Sequence, residues 1–126
     1  EEAEGVCYAV SNKPRTMEEP DMAIMHVTKN NFQEEVIQSD RPVLLDFWAN
    51  WCGPCRMVGP VVEEIAQERP DVKVGKIDVD EQRELAAAFQ IMSIPTLVVM
   101  QDGKVTQQVV GLRPKEQILA MLDRGN

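Results

Sequence analysis

The stretch "WANWCGPCRM", residues 48–57, places two cysteines three positions apart, with a glycine and a proline between them. The overlapping run "PVLLDFWA", residues 42–49, is almost continuously apolar, as expected of a central strand covered on both faces. A helix is predicted to begin near Pro54, because first-turn N–H groups lack helical partners and a proline is tolerated there. The cysteine pair is therefore predicted at a strand-to-helix junction.

Short apolar runs alternate with amphipathic helical stretches along the rest of the chain. The predicted order is strand 24–27, helix 30–39 with Asn30 or Asn31 as its N-cap, strand 42–49, a helix from 54, strand 72–80, helix 82–91, a hairpin over 96–111 with Asp102–Gly103 as its turn, and helix 113–122. The early β-α-β units imply parallel pairing through right-handed crossovers, and the hairpin adds antiparallel strands. The pattern predicts an α/β fold with one mixed sheet and helices on both faces.

Composition limits both the domain organisation and the partners. The 126 residues suit one domain, and the formal charge of −8 argues against nucleic acid, since phosphate binding needs clustered Lys and Arg. No apolar run approaches the roughly 20 residues of a membrane helix, and no secretory signal is visible. Residues 1–22 are acidic and poor in large aliphatics, so we expect a flexible extension or tag, followed by a single domain at 23–126.

The cysteine count favours redox or metal chemistry over structural disulfides. Three cysteines make a poor framework, and a bridge over so short a loop removes little entropy from the unfolded chain. Such usage is typical of a reducing compartment, so we expect a cytoplasmic protein.

A cysteine at a helix N-terminus is chemically activated. Unpaired N–H groups and the helix dipole favour an anion there, so the pKa of the Cys52 thiol should fall. Cys55 lies one turn further along on the same face, close enough for the two sulfurs to bond. The spacing predicts that Cys52 attacks a substrate disulfide and that Cys55 then releases the substrate. The alternative is a zinc site, but zinc needs four ligands and only Cys7 and His26 remain as candidates.

Asp46 is the lone charge within "VLLDFWA" and is the candidate base for Cys55. Burial raises the pKa of a carboxyl group, so that it accepts a proton near neutrality. The alternatives are a carboxylate that is only hydrogen-bonded, or one that points to solvent at an edge. Lys76 is a possible partner if its strand lies beside that of Asp46; the alternative is a solvated or snorkelling side chain.

Three further positions are candidates for substrate contact. Trp51, next to Cys52, is better placed for this than Trp48, although both could serve packing. Pro95 begins a predicted strand and could be trans, as base rates favour, or cis in a tight turn. Gly111 ends the last strand, where a side chain could obstruct a partner, but glycine is also a common strand terminator.

These residues together resemble the thioredoxin family. The resemblance covers about residues 24–123 and rests on "DFWANWCGPC", "KIDVD", "SIPTLVV", "DGKV" and "VVGL", in the family's order and spacing. It implies the thioredoxin fold, with a five-stranded sheet in the order 1-3-2-4-5 and four flanking helices. It also implies a cis peptide before Pro95.

The resemblance also implies roles for individual residues. Cys52 takes the place of the attacking cysteine, Cys55 of the resolving one, Asp46 of the buried acid and Lys76 of its neighbour. The expected substrate groove consists of Trp51, Gly53, Pro54, Ile94, Pro95 and Gly111.

The expected activity is reduction of protein disulfides, because Gly-Pro between the cysteines is typical of reductants in this family. We expect a monomer without bound cofactor or metal, recharged by a flavin-dependent thioredoxin reductase that uses NADPH. The alternatives are a module that binds through the same groove without turnover, and an oxidase or isomerase in an exported compartment.

Overall fold

A computed structural model describes residues 24–124 of the chain. The expected extension at 1–22 and Cys7 lie outside the described residues. The elements are β1 (Ile24–His26), a π-helix (Gln33–Ile37), β2 (Val43–Trp48), α1 (Gly53–Glu68), β3 (Lys73–Asp78), α2 (Arg83–Ala88), β4 (Thr96–Gln101), β5 (Lys104–Val110) and α3 (Lys115–Arg124). Their order agrees with the sequence prediction, and their ends differ from it by a few residues.

The five strands form one mixed sheet in the order β1-β3-β2-β4-β5, as predicted. β3 pairs in parallel with both β1 and β2, whereas β4 pairs antiparallel with β2 and with β5. β2 is therefore central, and its first five residues are buried. This explains why its sequence is an apolar run and not an alternating pattern.

The sheet separates two apolar layers, and β2 contributes to both. Leu44 packs in one layer with α1 and α3, where Val58, Ile65 and Ile118 are buried. On the other face, Leu45 and Phe47 pack with the π-helix and α2. Because alternate residues of a strand point to opposite faces, Asp46 points to the same face as Leu44, toward the layer of α1. No helix between residues 24 and 124 is both long enough and apolar enough to cross a membrane.

The predicted helix at 30–39 is wrong in its length and its cap. The structure has five π-helical residues instead, with the N–H of Gln38 donating to the carbonyl of Gln33 at 3.0 Å. Asn31 is not the N-cap. Its side chain accepts a hydrogen bond from the N–H of Thr28 at 2.8 Å and donates to the carbonyl of His26 at 3.0 Å. The asparagine therefore closes the turn after β1, and the helical stretch begins later.

The predicted hairpin turn is confirmed. Asp102 and Gly103 have φ values of 53° and 76°, the pair of positive angles that a two-residue hairpin turn requires. β4 and β5 consequently run back along each other, which brings Val110 opposite Thr96 at the other end of the hairpin. That end lies at the carboxyl edge of β2, where the cysteines are.

Two polar side chains lie in the described core, Asp46 and Thr96. The Thr96 hydroxyl donates to the carbonyl of Ser93 at 2.6 Å. Neither carboxylate oxygen of Asp46 has a hydrogen-bond partner within the described part of the chain. Burial therefore raises the pKa of Asp46 to about 6, although the positive charge of Lys76 opposes the shift.

This shift predicts how stability depends on pH. The folded state holds the Asp46 proton up to pH about 6, whereas after unfolding the carboxyl group returns to its ordinary pKa of 3.8. The free energy of unfolding should fall as the pH rises from about 4 to about 6, by about 3 kcal/mol. Asp46→Asn, which imitates the neutral acid, should remove this fall and be more stable than wild type at pH 8 but not at pH 4.

Urea unfolding of the oxidised protein between pH 4 and pH 8 would measure this difference. The control is Asp40→Asn, which neutralises an exposed carboxylate and should leave the slope unchanged. An Asp46→Asn protein with the same pH slope as wild type would contradict the prediction.

Candidate active site

The four residues 49–52 join β2 to α1 and end at the helix cap. Cys52 is the N-cap residue with extended backbone angles, φ −93° and ψ 112°. Its N–H donates to the carbonyl of Ala49 at 3.2 Å, and its sulfur accepts the N–H of Cys55 at 3.2 Å. The prediction that Cys52 lies at the head of the helix is confirmed. The N–H of Cys55 and the N-terminus of α1 are therefore both directed at the Cys52 sulfur.

Cys52 and Cys55 form a disulfide, with their Cα atoms 5.3 Å apart. The two residues are 4% and 5% exposed, so exposure does not distinguish the attacking cysteine from the resolving one. They form a small apolar cluster with Ala49, against which Trp48 and Ile94 pack. The two sides of the pair differ, however, because Cys55 also lines a cleft.

That cleft has a volume of about 320 Å³ and runs between α1 and β3. Cys55, Gly59 and Pro60 line it from α1, Trp48 from the end of β2 and Lys76 from β3. The Lys76 ammonium group lies 4.8 Å from the centroid of the Trp48 ring, a cation–π contact. Trp48 is therefore a wall of the cleft, and Lys76 is held against it.

Asp46 and Lys76 are register partners on neighbouring strands, as the sequence analysis allowed. The side chain of Asp46 has no exposed surface, so it does not point to solvent, and neither of its oxygens has a hydrogen-bond partner among the described protein groups. The positive charge of Lys76, on β3, limits the rise in the pKa of Asp46. A buried acid with a pKa near neutrality thus lies one strand away from a lysine that shares a cleft with Cys55.

The zinc alternative for the cysteine pair has no support in the described residues. No group of three or more His, Cys, Asp or Glu side chains between residues 24 and 124 is placed to hold a metal ion. His26 is exposed at the end of β1, and Cys7 lies outside the described residues. The cysteines are bonded to each other.

Trp51 projects from the surface and is 68% exposed. Its indole N–H donates to a carboxylate oxygen of Asp80 at 2.9 Å. Asp78 in turn accepts the N–H groups of Asp80 and Glu81, at 2.9 and 3.3 Å, which orders the turn after β3. Sequence reasoning missed this tether. A sequence signal for it was present. The acidic stretch "DVD", residues 78–80, begins at the last residue of β3, and Trp51 follows β2 at the same edge of the sheet.

Three of the expected groove residues, Ile94, Pro95 and Gly111, meet at the turn before β4. The Ile94–Pro95 peptide is cis, as the resemblance implied, and Ile94 packs against the cysteine cluster. The carbonyl of Pro95 accepts the N–H of Gly111 at 2.8 Å. Gly111 has φ 98°, a conformation that glycine adopts freely. This backbone angle is sufficient to explain why the position is a glycine.

Gly53 and Pro54 begin α1 and are exposed beside Cys52. The expected site residues therefore lie around the carboxyl edge of β2, except Asp46 within β2 and Lys76 within β3. The arrangement provides a redox-active sulfur pair, a buried acid and an exposed rim around the sulfurs.

Comparison with known proteins agrees with this geometry. The family model described as Thioredoxin matches residues 23–124. A thioredoxin of Alicyclobacillus acidocaldarius is 52% identical over 101 residues, which are 79% of this chain and 95% of that protein. A thioredoxin of Bacillus subtilis is 48% identical over 104 residues, or 82% and 98% of the two chains. One of Mycobacterium tuberculosis is 50% identical over 101 residues, or 79% and 87%.

A bonded cysteine pair at a helix N-terminus, the five-stranded order and the family match all lead to the same conclusion. The chain belongs to the thioredoxin family and is a thiol–disulfide oxidoreductase that works by dithiol–disulfide exchange through Cys52 and Cys55.

Proposed function

We propose that the protein reduces disulfides in other proteins, with Cys52 as the nucleophile, Cys55 as the resolving thiol and Asp46 as the proton acceptor. The observation that carries this assignment is the hydrogen bond from the N–H of Cys55 to the sulfur of Cys52 at the helix cap. It supports a low thiol pKa at Cys52, and the thiolate is the nucleophilic form.

The first step forms a mixed disulfide. The Cys52 thiolate attacks one sulfur of the substrate disulfide, a bond forms between those two sulfurs, and the substrate S–S bond breaks. The second substrate sulfur leaves as a thiolate and takes a proton from solvent. The protein and the substrate are then joined covalently through Cys52.

The second step releases the substrate. The Cys55 thiol loses its proton and attacks the sulfur of Cys52, so that the internal disulfide forms and the mixed disulfide breaks. Two electrons have then passed from the cysteine pair to the substrate. The structure is that of the oxidised product of this step.

Asp46 supplies the base for the second step. A carboxyl group with a pKa of about 6 is mostly ionised at neutral pH and still basic enough to take a proton from a thiol. The cleft shared by Cys55 and Lys76 has room for solvent to carry that proton toward β2. Lys76 limits how far the pKa of Asp46 rises, because its charge stabilises the ionised carboxylate.

Exposed side chains and open backbone around the disulfide support the substrate groove that the resemblance implies. Trp51 offers a large exposed ring beside Cys52, and Gly53 and Pro54 present an open helix start. Ile94, Pro95 and Gly111 offer a backbone edge on the other side of the disulfide, and nothing lies within 4 Å of where a Cβ of Gly111 would be. A substrate chain can approach closely at that position.

We also propose the partners and setting. A thioredoxin reductase that draws on NADPH would regenerate the dithiol, and no cofactor needs to be bound, since both electrons reside on the cysteines. Both cysteines and the cleft belong to one chain, which supports action as a monomer. The cysteine usage supports a reducing, cytoplasmic setting. The family match at 23–124 supports a redox domain at 23–126.

The direct test is catalysed reduction of a disulfide-bonded protein, with dithiothreitol or a thioredoxin reductase and NADPH supplying electrons. We expect acceleration over dithiothreitol alone, which Cys52→Ser abolishes. Absence of acceleration would remove the proposed activity. A reduction potential near that of strong oxidants would instead favour an oxidase or isomerase.

Replacing each cysteine separately tests their roles. Cys55→Ser should accumulate mixed disulfides with a substrate protein, because the releasing thiol is absent, while Cys52→Ser should accumulate few. Mass spectrometry of alkylated, non-reduced samples would count the adducts. Equal trapping by both variants, or more by Cys52→Ser, would contradict the assignment of nucleophile and resolving thiol.

Asp46→Asn should slow release of the substrate from the mixed disulfide by at least about tenfold, because Cys55 loses its base. The wild-type release rate should rise with a midpoint near pH 6 as Asp46 ionises. Lys76→Met should move that midpoint upward, since the lysine lowers the pKa of Asp46. Stopped-flow release from a preformed adduct would measure both, and an unchanged rate and midpoint in Asp46→Asn would exclude Asp46 as the base.

A further inference from the structure

Gly59 lies inside α1 at a position where neither the backbone nor the packing requires a glycine. Glycine in a helix interior is less favourable than alanine by roughly 0.5–1 kcal/mol. Its φ is not positive, unlike those of Gly103 and Gly111. A Cβ at Gly75 would lie only 2.6 Å from Val27, whereas a Cβ at Gly59 would have a single neighbour within 4 Å among the described residues outside its own stretch of helix, at an ordinary contact distance of 3.8 Å.

That neighbour is the ammonium group of Lys76. Lys76, Gly59 and Cys55 all line the cleft of about 320 Å³ between α1 and β3. Lys76 contacts the ring of Trp48 at 4.8 Å, and the oxygens of Asp46 accept no hydrogen bond from it. An ammonium group has three N–H donors, and where it lines a cleft it satisfies them with water.

Gly59 lies one helical turn beyond Cys55 and on the same face of α1. The space beside its Cα therefore adjoins the resolving cysteine on one side and the Lys76 ammonium on the other. Lys76 is in turn the register partner of Asp46 on β2. A methyl group in this space would displace one water, whose share of liquid volume is about 30 Å³, and would offer no hydrogen bond in its place.

We propose that Gly59 is a positioning residue for substrate release, because its missing side chain reserves space beside Lys76 for the water that carries the Cys55 proton toward Asp46. The inference rests on the proposed function and deepens it. The proton leaves the Cys55 sulfur and passes through water to a carboxylate oxygen of Asp46. The Cys55 sulfur bonds to that of Cys52, and the substrate sulfur leaves as a thiolate.

Two other charged side chains line the cleft, Arg56 and Glu63, and both are exposed on α1. Arg56 donates to the carbonyl of Asn50 at 2.7 Å and has no acceptor for a proton. Glu63 is the competing acceptor, together with bulk solvent. These routes are separable, since only transfer to Asp46 makes the effect of a side chain at position 59 depend on Asp46.

The test is a double-mutant cycle on the full chain with Gly59→Ala, Asp46→Asn and the combined variant. Stopped flow follows release of the substrate from a preformed mixed disulfide between pH 5 and pH 8. Gly59→Ala should lower the plateau rate at least about threefold, because the proton path loses a water. The midpoint should stay near pH 6, since a methyl group adds no charge. In the Asp46→Asn background, Gly59→Ala should change the rate by less than about 1.5-fold.

The matched control is Gln67→Gly, which alters the helix propensity of α1 by a similar amount at an exposed position that does not line the cleft. It should release substrate at the wild-type rate. The first step is checked separately, by alkylation of the reduced protein with iodoacetamide. Gly59→Ala and wild type should react at the same rate at Cys52, because the displaced water lies on the side of Cys55.

Three results would overturn the role of Gly59 while leaving the proposed activity intact. They are release by Gly59→Ala at the wild-type rate, equal slowing with and without Asp46, and a midpoint that moves as it should in Lys76→Met. Equal slowing by Gln67→Gly would overturn it as well, since helix stability would then explain the loss. If Asp46→Asn itself left release unchanged, the base assigned in the proposed function would fail, and the role of Gly59 with it.

Discussion

One short contact connects the fold to the chemistry, the hydrogen bond from the N–H of Cys55 to the sulfur of Cys52. It exists because α1 begins directly after Cys52, which leaves the N–H groups of its first turn unpaired. Pro54 lacks an N–H, but it is tolerated in this turn because an N–H there would have no partner within the helix. β2 holds the sulfur at the sheet edge, and the helix directs a donor at it. A helix starting one turn later would leave the sulfur without that donor.

A second constraint acts against stability. Asp46 is a carboxyl group in the middle of a central strand, with no exposed surface and no described hydrogen-bond partner. Apolar residues surround it on β2, and nothing in the packing requires an acid there. Violations of the rule for core composition are expected at functional sites, which supports the proposed role of Asp46 as a base. Proteins commonly accept lower stability at such sites in exchange for activity.

Much of this could be predicted from the sequence, because strong local signals coincide with tertiary structure. The apolar run at 42–49, the Asp102–Gly103 turn and the spacing of the cysteines each correspond to one element. The predictions that were wrong or missing concerned hydrogen bonds between distant segments, or local structures of similar energy between which the sequence does not decide. Asn31 is an equally good cap for a helix or for a turn, and contacts around it decide. The Trp51–Asp80 tether joins residues 29 positions apart, so only the meeting of β2 and β3 at one sheet edge pointed to it, and no local pattern did.

The cysteine pair with its buried acid and the exposed rim around the sulfurs lie on different parts of the chain. The sulfurs, the buried acid and its lysine belong to β2, α1 and β3, whose packing fixes their positions. The exposed rim has two parts. Trp51 donates its ring N–H to the Asp80 carboxylate, whereas residues 90–95 before β4 contain no charged side chain and expose Met92. The two flanks of the disulfide therefore differ in chemistry, since one carries carboxylates and the other exposes an apolar side chain.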